Sequence, residues 1–369
     1  MTILAWTTAV FLLYFLADCV QLRPRSAGAK VFYELDSLDR TRPSNLTQVL
    51  ALPSTHYVPL LGGRSLVVGS SALVCRVPAN DALDPTQVST IVYLGSRGEV
   101  GSNGDGGRAF VALDVVEGSA LAKRLMSTEG VRAVALRKVA DSMSVRLGPG
   151  EDSDSPSVLA LAAGFTTWHR SLVYCPLCAG RTAATRAGAA RKCLNPSCGK
   201  SHFPRIEPAV IMLVLSSCGN WALLGRKSSW IKGRYSSLAG FVEVGETLEQ
   251  AVVRECLEES GVDLEPDSVS YYCSQPWPFP SSLMLGFTAR AKCTGNSALP
   301  RINFDSDELE DVIWVSRDQV AKALSVVISE SEAGAGASFP PLHFPGISSL
   351  ARTMLTAWVE EGEEEERPR

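Results

Sequence analysis

The chain has 369 residues, 46% of them hydrophobic and 20% charged, with a formal net charge of −4. That length and apolar content suffice to bury a large core and to build two or three domains. The acidic balance excludes a protein held on nucleic acid by bulk electrostatics, while leaving room for a local basic groove.

Ten cysteines do not make the regular framework of a small disulfide-rich fold. Four are paired by spacing and six are scattered in apolar stretches, so reduced thiols and an intracellular setting are expected. From the start of the chain, Met1 to Ala17 carries no charge and reads ILAWTTAVFLLYFLA, ahead of Asp18, Arg23 and Arg25. Seventeen residues is at the short limit for a membrane span, and the basic region that precedes the apolar stretch of a signal peptide is missing. Residues 1–28 are therefore open to three readings. They are a membrane anchor or secretory signal making membrane contact, an organellar presequence, or a start-site artefact or buried segment.

Residues 29–157 read as a first domain. The runs VFYEL, SLVVGSSALVCRV, STIVYLG and AFVALDVV, separated by Gly, Pro and Asn clusters, predict strands of a mixed sheet. Gly101 to Gly107 (GSNGDGG) predicts a flexible loop and not a phosphate cradle, because no helix with a terminal Lys-Ser or Lys-Thr follows it. Gly148 to Ser157 predicts a linker or insertion.

An apolar helix over Val158 to Trp168 leads into a cysteine module, residues 158–205. Cys175 and Cys178 form C-x2-C, and Cys193 and Cys198 form C-x4-C fourteen residues later, the spacing of a zinc ribbon. Turn-forming Gly180, Gly188, Pro196 and Gly199 and polar intervening residues leave little core, so one structural Zn2+ held by four thiolates takes its place. Two incidental cysteine pairs, or a disulfide, is the plainer alternative. His169 and His202 flank the module, but four cysteines already complete a closed shell.

Residues 206–358 are the expected catalytic domain, followed by a charged tail, 359–369, expected to be disordered. Within it, Gly240 to Val262 reads GFVEVGETLEQAVVRECLEESGV. Thr247 and Gln250 are spaced as a capping box, starting a helix after the Gly245-Glu246 turn. Leu248, Ala251, Val252 and Cys256 recur at helical intervals as a buried stripe, and Gly261 suits the helix stop. Glu255, Glu258 and Glu259 share another face, where three carboxylates within one turn repel unless a cation sits among them. Oxygen ligands suit Mg2+ or Mn2+. A solvated acidic helix is the bland alternative, and it gives no reason for Gly240, Glu246 and Arg254 to stand at their distances.

The same twenty-three residues fit G-x5-E-x7-R-E-U-x-E-E-x-G-U at every fixed position and are identified as a Nudix box, which implies metal-assisted pyrophosphate hydrolysis. Past it, Ser274-Gln275-Pro276-Trp277-Pro278-Phe279-Pro280 and Ser281-Ser282-Leu283-Met284 resemble the SQPWPFPxSLM signature of the NADH pyrophosphatase family. The resemblance extends to Leu38-Asp39-Arg40, Trp168-His169-Arg170, Phe203 to Pro208 and Ser349 to Arg352. It implies a first α+β domain, a zinc ribbon and a Nudix α/β/α sandwich, assembled as a homodimer. By the same resemblance, the Ala239 carbonyl with Glu255, Glu259 and Glu308, or a neighbour of Glu308, would bind the catalytic metal. Arg254 would orient Glu246 and the acidic cluster. Glu258 would be the general base or position a metal-bound water. Phe203, at a position commonly Tyr in the family, and Phe241 would sandwich the nicotinamide. Gln275, Pro276, Trp277, Pro278, Phe279, Pro280, Ser281, Ser282 and Met284, with the Ala351 backbone, would line the rest of the pocket.

The implied activity is hydrolysis of NADH or NAD to AMP and NMNH or NMN. Removal of NAD caps from RNA 5′ ends is the alternative. A non-catalytic nucleotide-binding module is a third reading, disfavoured because every box glutamate is kept.

Overall fold

Alternating apolar residues build a six-stranded sheet in the first part of the chain. The computed structural model describes residues 46–52, 54–68, 71–72, 79–97, 108–136, 155–292, 299–304, 306–325, 341–346 and 349–365, all of which belong to one compact unit, Val31–Arg369. The apolar segment Met1 to Ala17, the Leu38-Asp39-Arg40 string and the Gly101 to Gly107 loop lie outside the described residues. Strands β1 (Thr55–Leu61), β2 (Arg64–Val68), β3 (Ser71–Ala72), β4 (Val88–Arg97) and β5 (Arg108–Val115) run in the order β3-β2-β1-β5-β4, and β6 (Val131–Val134) also pairs with β2. The β1–β5 pair is parallel and the others are antiparallel, which makes the sheet mixed as expected.

Both faces of this sheet are covered. Along β5, Ala109, Val111, Leu113 and Val115 pack with Leu50 of α1 (Leu46–Ala51), Ala82 of α2 (Ala79–Leu83), and Leu121 and Leu125 of α3 (Ala120–Met126). The intervening Phe110 and Ala112 pack with Val158, Leu159, Ala162 and Ala163 of α4 (Ser155–Ser171). This is the period of two expected of a strand buried on both sides. The helix that leads into the cysteine module therefore spends its apolar stripe on the first sheet. Strand β1 was not among the predicted runs, because Pro59 interrupts it and a proline argues against a central strand. It is tolerated because β2 pairs with β1 only at Leu60 and Leu61, past the missing N–H.

The cysteine module is a small sheet of β7 (Thr182–Thr185), β8 (Ala190–Cys193) and β9 (Ser201–His202). Its Gly188, at φ +89°, lies so close to β4 that an added Cβ would meet the Ile91 carbonyl oxygen and the Val92 Cα at 2.6 Å.

The third sheet runs β13 (Ser270–Trp277), β14 (Ser282–Arg290), β10 (Glu207–Leu215), β11 (Trp221–Arg226), β15 (Asp311–Ser316), with β12 (Leu238–Phe241) also on β10. Alternation along β10 again decides the layers. Val210, Met212 and Val214 pack under Ala251, Val252 and Cys256 of α5 (Leu248–Ser260). Ile211 and Leu213 pack under α6 (Arg317–Leu324) and α7 (Leu350–Glu365). The result is an α/β/α sandwich. The tail expected to be disordered continues α7 as far as Glu365. Buried Trp358 and Val359 anchor this end, Trp358 donates from Nε1 to the Gly219 carbonyl at 3.1 Å, and glutamate is a good helix former. Among the described residues, no helix is long and apolar enough to cross a membrane.

A buried polar network joins α4 to the cysteine module. His169 is 1% exposed, with Nε2 at 2.8 Å from the Gly188 carbonyl and Nδ1 at 2.9 Å from Nη1 of Arg191. Arginine only donates, so Nδ1 accepts and Nε2–H donates, which specifies a neutral ring. Arg191 is held in turn by Thr182 through Oγ1 at 2.7 Å and the carbonyl at 2.9 Å. Burial pushes the His169 imidazole down to about 4, and Arg191 adds to the effect. A folded-state value below the usual 6.5 means that its contribution is complete above pH 6.5 and is lost as pH falls toward 4. Denaturant titration should show the parent losing about 2 kcal/mol more stability between pH 7 and pH 5 than the His169→Gln variant. Equal losses would remove His169 from the acid response.

Candidate active site

The predicted capping box is present. The Gln250 N–H donates to Thr247 Oγ1 at 3.2 Å, and the Thr247 N–H donates to Gln250 Oε1 at 2.9 Å. Gly261 ends the helix at φ +68°. The helix thereby starts and stops where its charged face meets the end of β12.

Arg254 is the centre of that face. Nε and Nη2 hold Glu246 in a fork at 2.8 and 2.9 Å. Nη1 donates to Glu255 at 2.9 Å and to Glu258 at 2.8 Å, and Nη2 also donates to the Phe241 carbonyl at 2.9 Å. All five guanidinium N–H groups are thus used. Glu246 further accepts from the Glu243 N–H at 3.0 Å, and these bonds, those from Arg254 first, hold its carboxyl below the usual range.

Glu259 is 2% exposed, the most buried of the box glutamates, and accepts from the Ala239 N–H at 3.1 Å. Burial pushes its carboxyl up to about 8, with the charges of Glu308 and Glu255 adding to the effect. Glu255 is raised by burial and by repulsion from Glu258 and Glu308, against the pull of Arg254. Gly240 makes room for Glu255, since a Cβ there would overlap its carboxylate. Two carboxylates, Glu255 and Glu259, raised by burial and by neighbouring acidic charge beside a side-chain-free backbone, are oxygen donors of the kind a divalent cation takes.

The acidic string before β15 sorts itself by partner. Glu310 pairs with Arg226, and Asp311 accepts from the Tyr235 hydroxyl at 2.6 Å. Glu308 is the member whose charge acts on Glu255 and Glu259, and it lies 3.3 Å from Lys227 Nζ. No motif marked Lys227, because it stands 81 residues from Glu308 in sequence and meets it through the antiparallel β11–β15 pairing.

Residues 205–332 match the NUDIX domain family. The chain carries a Nudix domain. It is 35% identical over 236 residues to Nudix hydrolase 19, chloroplastic, of Arabidopsis thaliana, covering 56% of this chain and 52% of that protein. It is 40% identical over 174 residues to NAD-capped RNA hydrolase NUDT12 of Homo sapiens, covering 46% and 36%. It is 37% identical over 221 residues to NAD-capped RNA hydrolase NudC of Mycobacterium bovis, covering 60% and 66%. The chain spans less than two thirds of each of these relatives.

In the Nudix domain, the SQPWPFP string forms the end of β13 and the turn into β14, and Pro276, Trp277 and Ser282 keep ladder register, Trp277 opposite Ser282. The Trp277 and Phe279 rings meet edge to face, with centroids 5.1 Å apart. A Cβ added to Gly164 of α4 would lie 4.0 Å from Pro278, and the Ser281 carbonyl accepts from the Glu207 N–H at 3.0 Å. Gln275 is buried, and its Oε1 accepts from the Leu350 N–H at 3.1 Å, which ties this strand to the first turn of α7 and to Ala351. Ala351 and Met284 share the apolar cluster beneath α7. Their side chains are used in packing, and that of Gln275 in bonding the Leu350 N–H. Phe203 and Phe241 are both exposed, and the Arg186 guanidinium lies over the Phe203 ring at 5.4 Å.

The sulfurs of Cys175, Cys178, Cys193 and Cys198 all lie within 4.8 Å of one another. The separations of 3.8 Å for Cys175–Cys198 and 3.5 Å for Cys178–Cys193 suit the edges of a tetrahedron with metal–sulfur bonds of about 2.3 Å. A Cβ on Gly180 would meet both Cys178 and Cys193 Sγ at 3.3 Å, and the Gly180 backbone draws the Cys178 thiol down to about 7. The four cysteines are therefore placed to hold one metal ion. His169 points away into its own network, whereas His202 Nε2 is 3.3 Å from Cys175 Sγ. Gly240→Ala should leave the thermal transition within a few degrees of the parent and weaken Mn2+ binding at least tenfold by calorimetry. Unchanged Mn2+ affinity would show that the Glu255 position is not needed for the cation.

Proposed function

We propose that the Nudix domain hydrolyses the pyrophosphate linkage of NADH and NAD, releasing AMP with NMNH or NMN. The observation that carries this reading is the acidic face that Arg254 holds together, Glu246, Glu255 and Glu258, with buried Glu259 bonded to the Ala239 N–H beside it, next to the sheet that also carries the SQPWPFP strand. The names of the human and mycobacterial relatives add support, since both are called NAD-capped RNA hydrolases. Removal of NAD caps from RNA by the same bond cleavage is the second reading, favoured by those names.

Glu255, Glu259, Glu308 and the Ala239 carbonyl would hold Mg2+ or Mn2+. Bound there, the cation neutralises charge gathering on the phosphoryl oxygens and acidifies water. Glu258 takes the proton of the water that attacks phosphorus. Its side chain is 57% exposed, so it is the box glutamate most open to solvent, and Arg254 keeps it in place. Glu246 and Arg254 act one step back, holding the acidic face in register. Phe203 and Phe241 present ring faces to the nicotinamide, and Trp277 and Phe279 between their prolines make a stiff wall for the rest of the dinucleotide.

The four-cysteine site takes Zn2+ in this reading and braces the module between a first domain, residues 29–157, and the catalytic domain, residues 206–358. A second copy of the chain covers part of the exposed apolar set of Ile206, Val244 and Leu257, giving the homodimer. Elemental analysis should find one zinc per chain, and Cys178→Ser should lose most of it and lower the melting temperature; a zinc-free, equally stable parent would rule the site out.

With NADH and Mg2+ or Mn2+, the full chain should yield AMP and NMNH. Glu258→Gln should lower kcat by about 10²- to 10³-fold with the fold intact. A folded, Mn2+-binding parent that leaves NADH and NAD whole would overturn the assignment.

A further inference from the structure

The chain as a whole is acidic, yet residues 155–206 contain no Asp or Glu at all. They carry seven basic side chains, so this stretch stands at +7 and the rest of the chain at −11. Two of the seven are absorbed internally: Arg170 pairs with Asp114, and Arg191 is buried against Thr182 and His169. The other five, Arg181, Arg186, Lys192, Lys200 and Arg205, are exposed, and among the described residues none has an acidic partner.

The ribbon sheet arranges these charges. Cross-strand register puts Ala183, Lys192 and Ser201 side by side on one face, while Thr182 and Cys193 point to the other. One exposed guanidinium group outside the pocket is stacked over an exposed ring, Arg181 over Tyr174 at 5.9 Å, whereas Arg186 lies at 5.4 Å over Phe203, the ring assigned to the nicotinamide. A flat, cationic, aromatic platform of this kind accepts a nucleobase on its face while neighbouring cations meet phosphates. Acid-free surfaces need no such stacks merely to stay solvated. Only Phe203 to Ile206 separate β9 from Glu207, whose N–H bonds the Ser281 carbonyl of the SQPWPFP turn. That linker spans at most about 18 Å, so the ribbon sheet lies one short linker from the strand that carries the SQPWPFP turn.

We propose that the outer face of the cysteine module is a binding track for single-stranded RNA, which holds the body of a substrate whose 5′ end occupies the Nudix pocket. The inference extends the NAD-linked reading to its RNA form, but binding by the track needs no cap and no chemistry. The chain's net negative charge then matters, because the stretch at +7 stands against a remainder at −11 and so favours approach of RNA to this face.

The test uses the full chain and a fluorescein-labelled twelve-nucleotide single-stranded RNA with a plain 5′-hydroxyl, followed by anisotropy from 50 to 300 mM KCl. The logarithm of affinity should fall linearly with the logarithm of salt, with a slope of about −3 for four to five phosphate contacts. The double variant Arg181→Gln, Lys192→Gln should bind on the order of tenfold more weakly at 100 mM KCl and with a slope shallower by about 1.4. A control with Lys123→Gln and Lys322→Gln, both exposed and outside the module, should bind as the parent does. NADH hydrolysis by the Arg181, Lys192 variant should equal that of the parent. RNA binding that is absent, or indifferent to Arg181 and Lys192, overturns the proposal. So does capture by phosphatidylserine vesicles in place of RNA, which would make the face a membrane contact. A parent that binds RNA through these residues yet cleaves neither NADH nor NAD sinks the hydrolase reading and leaves the track standing.

Discussion

Arg254 is the constraint on which the acidic face of the box helix depends. A guanidinium has five N–H groups in one plane, and here they reach Glu246 twice, Glu255, Glu258 and the Phe241 carbonyl. The glutamates of one helical turn would otherwise drive one another apart. With the arginine among them they are held a few ångströms apart while the most buried, Glu259, is raised by burial and by its neighbours. A lysine could neutralise one unit of charge but could not supply a planar fork to Glu246 and still reach three other acceptors. The carbonyl of Phe241 makes the same arginine a clamp between helix α5 and strand β12. The acidic face and the ring proposed for substrate stacking are therefore set by a single side chain.

Around that clamp, the sheet's alternation does the placing. Val210, Met212 and Val214 bury one helix, and Ile211 and Leu213 bury two others, so β10 is fixed against sliding by one residue, which would exchange the two cores. β10 then carries three functional edges. It pairs with β12 at Ala239 to Phe241, with β14 at Ser282 to Met284, and is reached from the cysteine module through Phe203 to Ile206. The cysteine module is itself wedged against the first sheet by the Gly188 turn and by His169. Cysteine cluster, SQPWPFP string and basic face are thus all referred to one buried strand.

Much of this was legible in the residues alone. Thr247 and Gln250, the apolar stripe and Gly261 specify their helix by local rules, because capping and periodicity depend on neighbours within four positions. The cysteine spacing is equally local, since two short turns bring each pair together. Less was legible in the first sheet, where Pro59 concealed a strand whose tolerance depends on where its neighbour stops pairing. The role of Gln275 was not legible either. Its place in the SQPWPFP string suggests a pocket wall, and nothing local announces that its Oε1 also accepts from the Leu350 N–H, 75 residues away.

The sequence by itself determined the box helix with its glutamates on one face, the four cysteines, and the concentration of positive charge between residues 155 and 206. Each follows from composition or short-range spacing, and no distant contact can undo it. Only the tertiary structure decided that Arg226 engages Glu310 and Tyr235 engages Asp311, leaving the charge of Glu308 to act on Glu255 and Glu259. It also decided that Lys227 stands beside Glu308, that His169 is sealed neutral in a joint and kept from the cysteines, and that Arg181 and Lys192 lie on the exposed side of the ribbon sheet. Those outcomes depend on strand register and burial, which join residues far apart in the chain, and no local pattern encodes them.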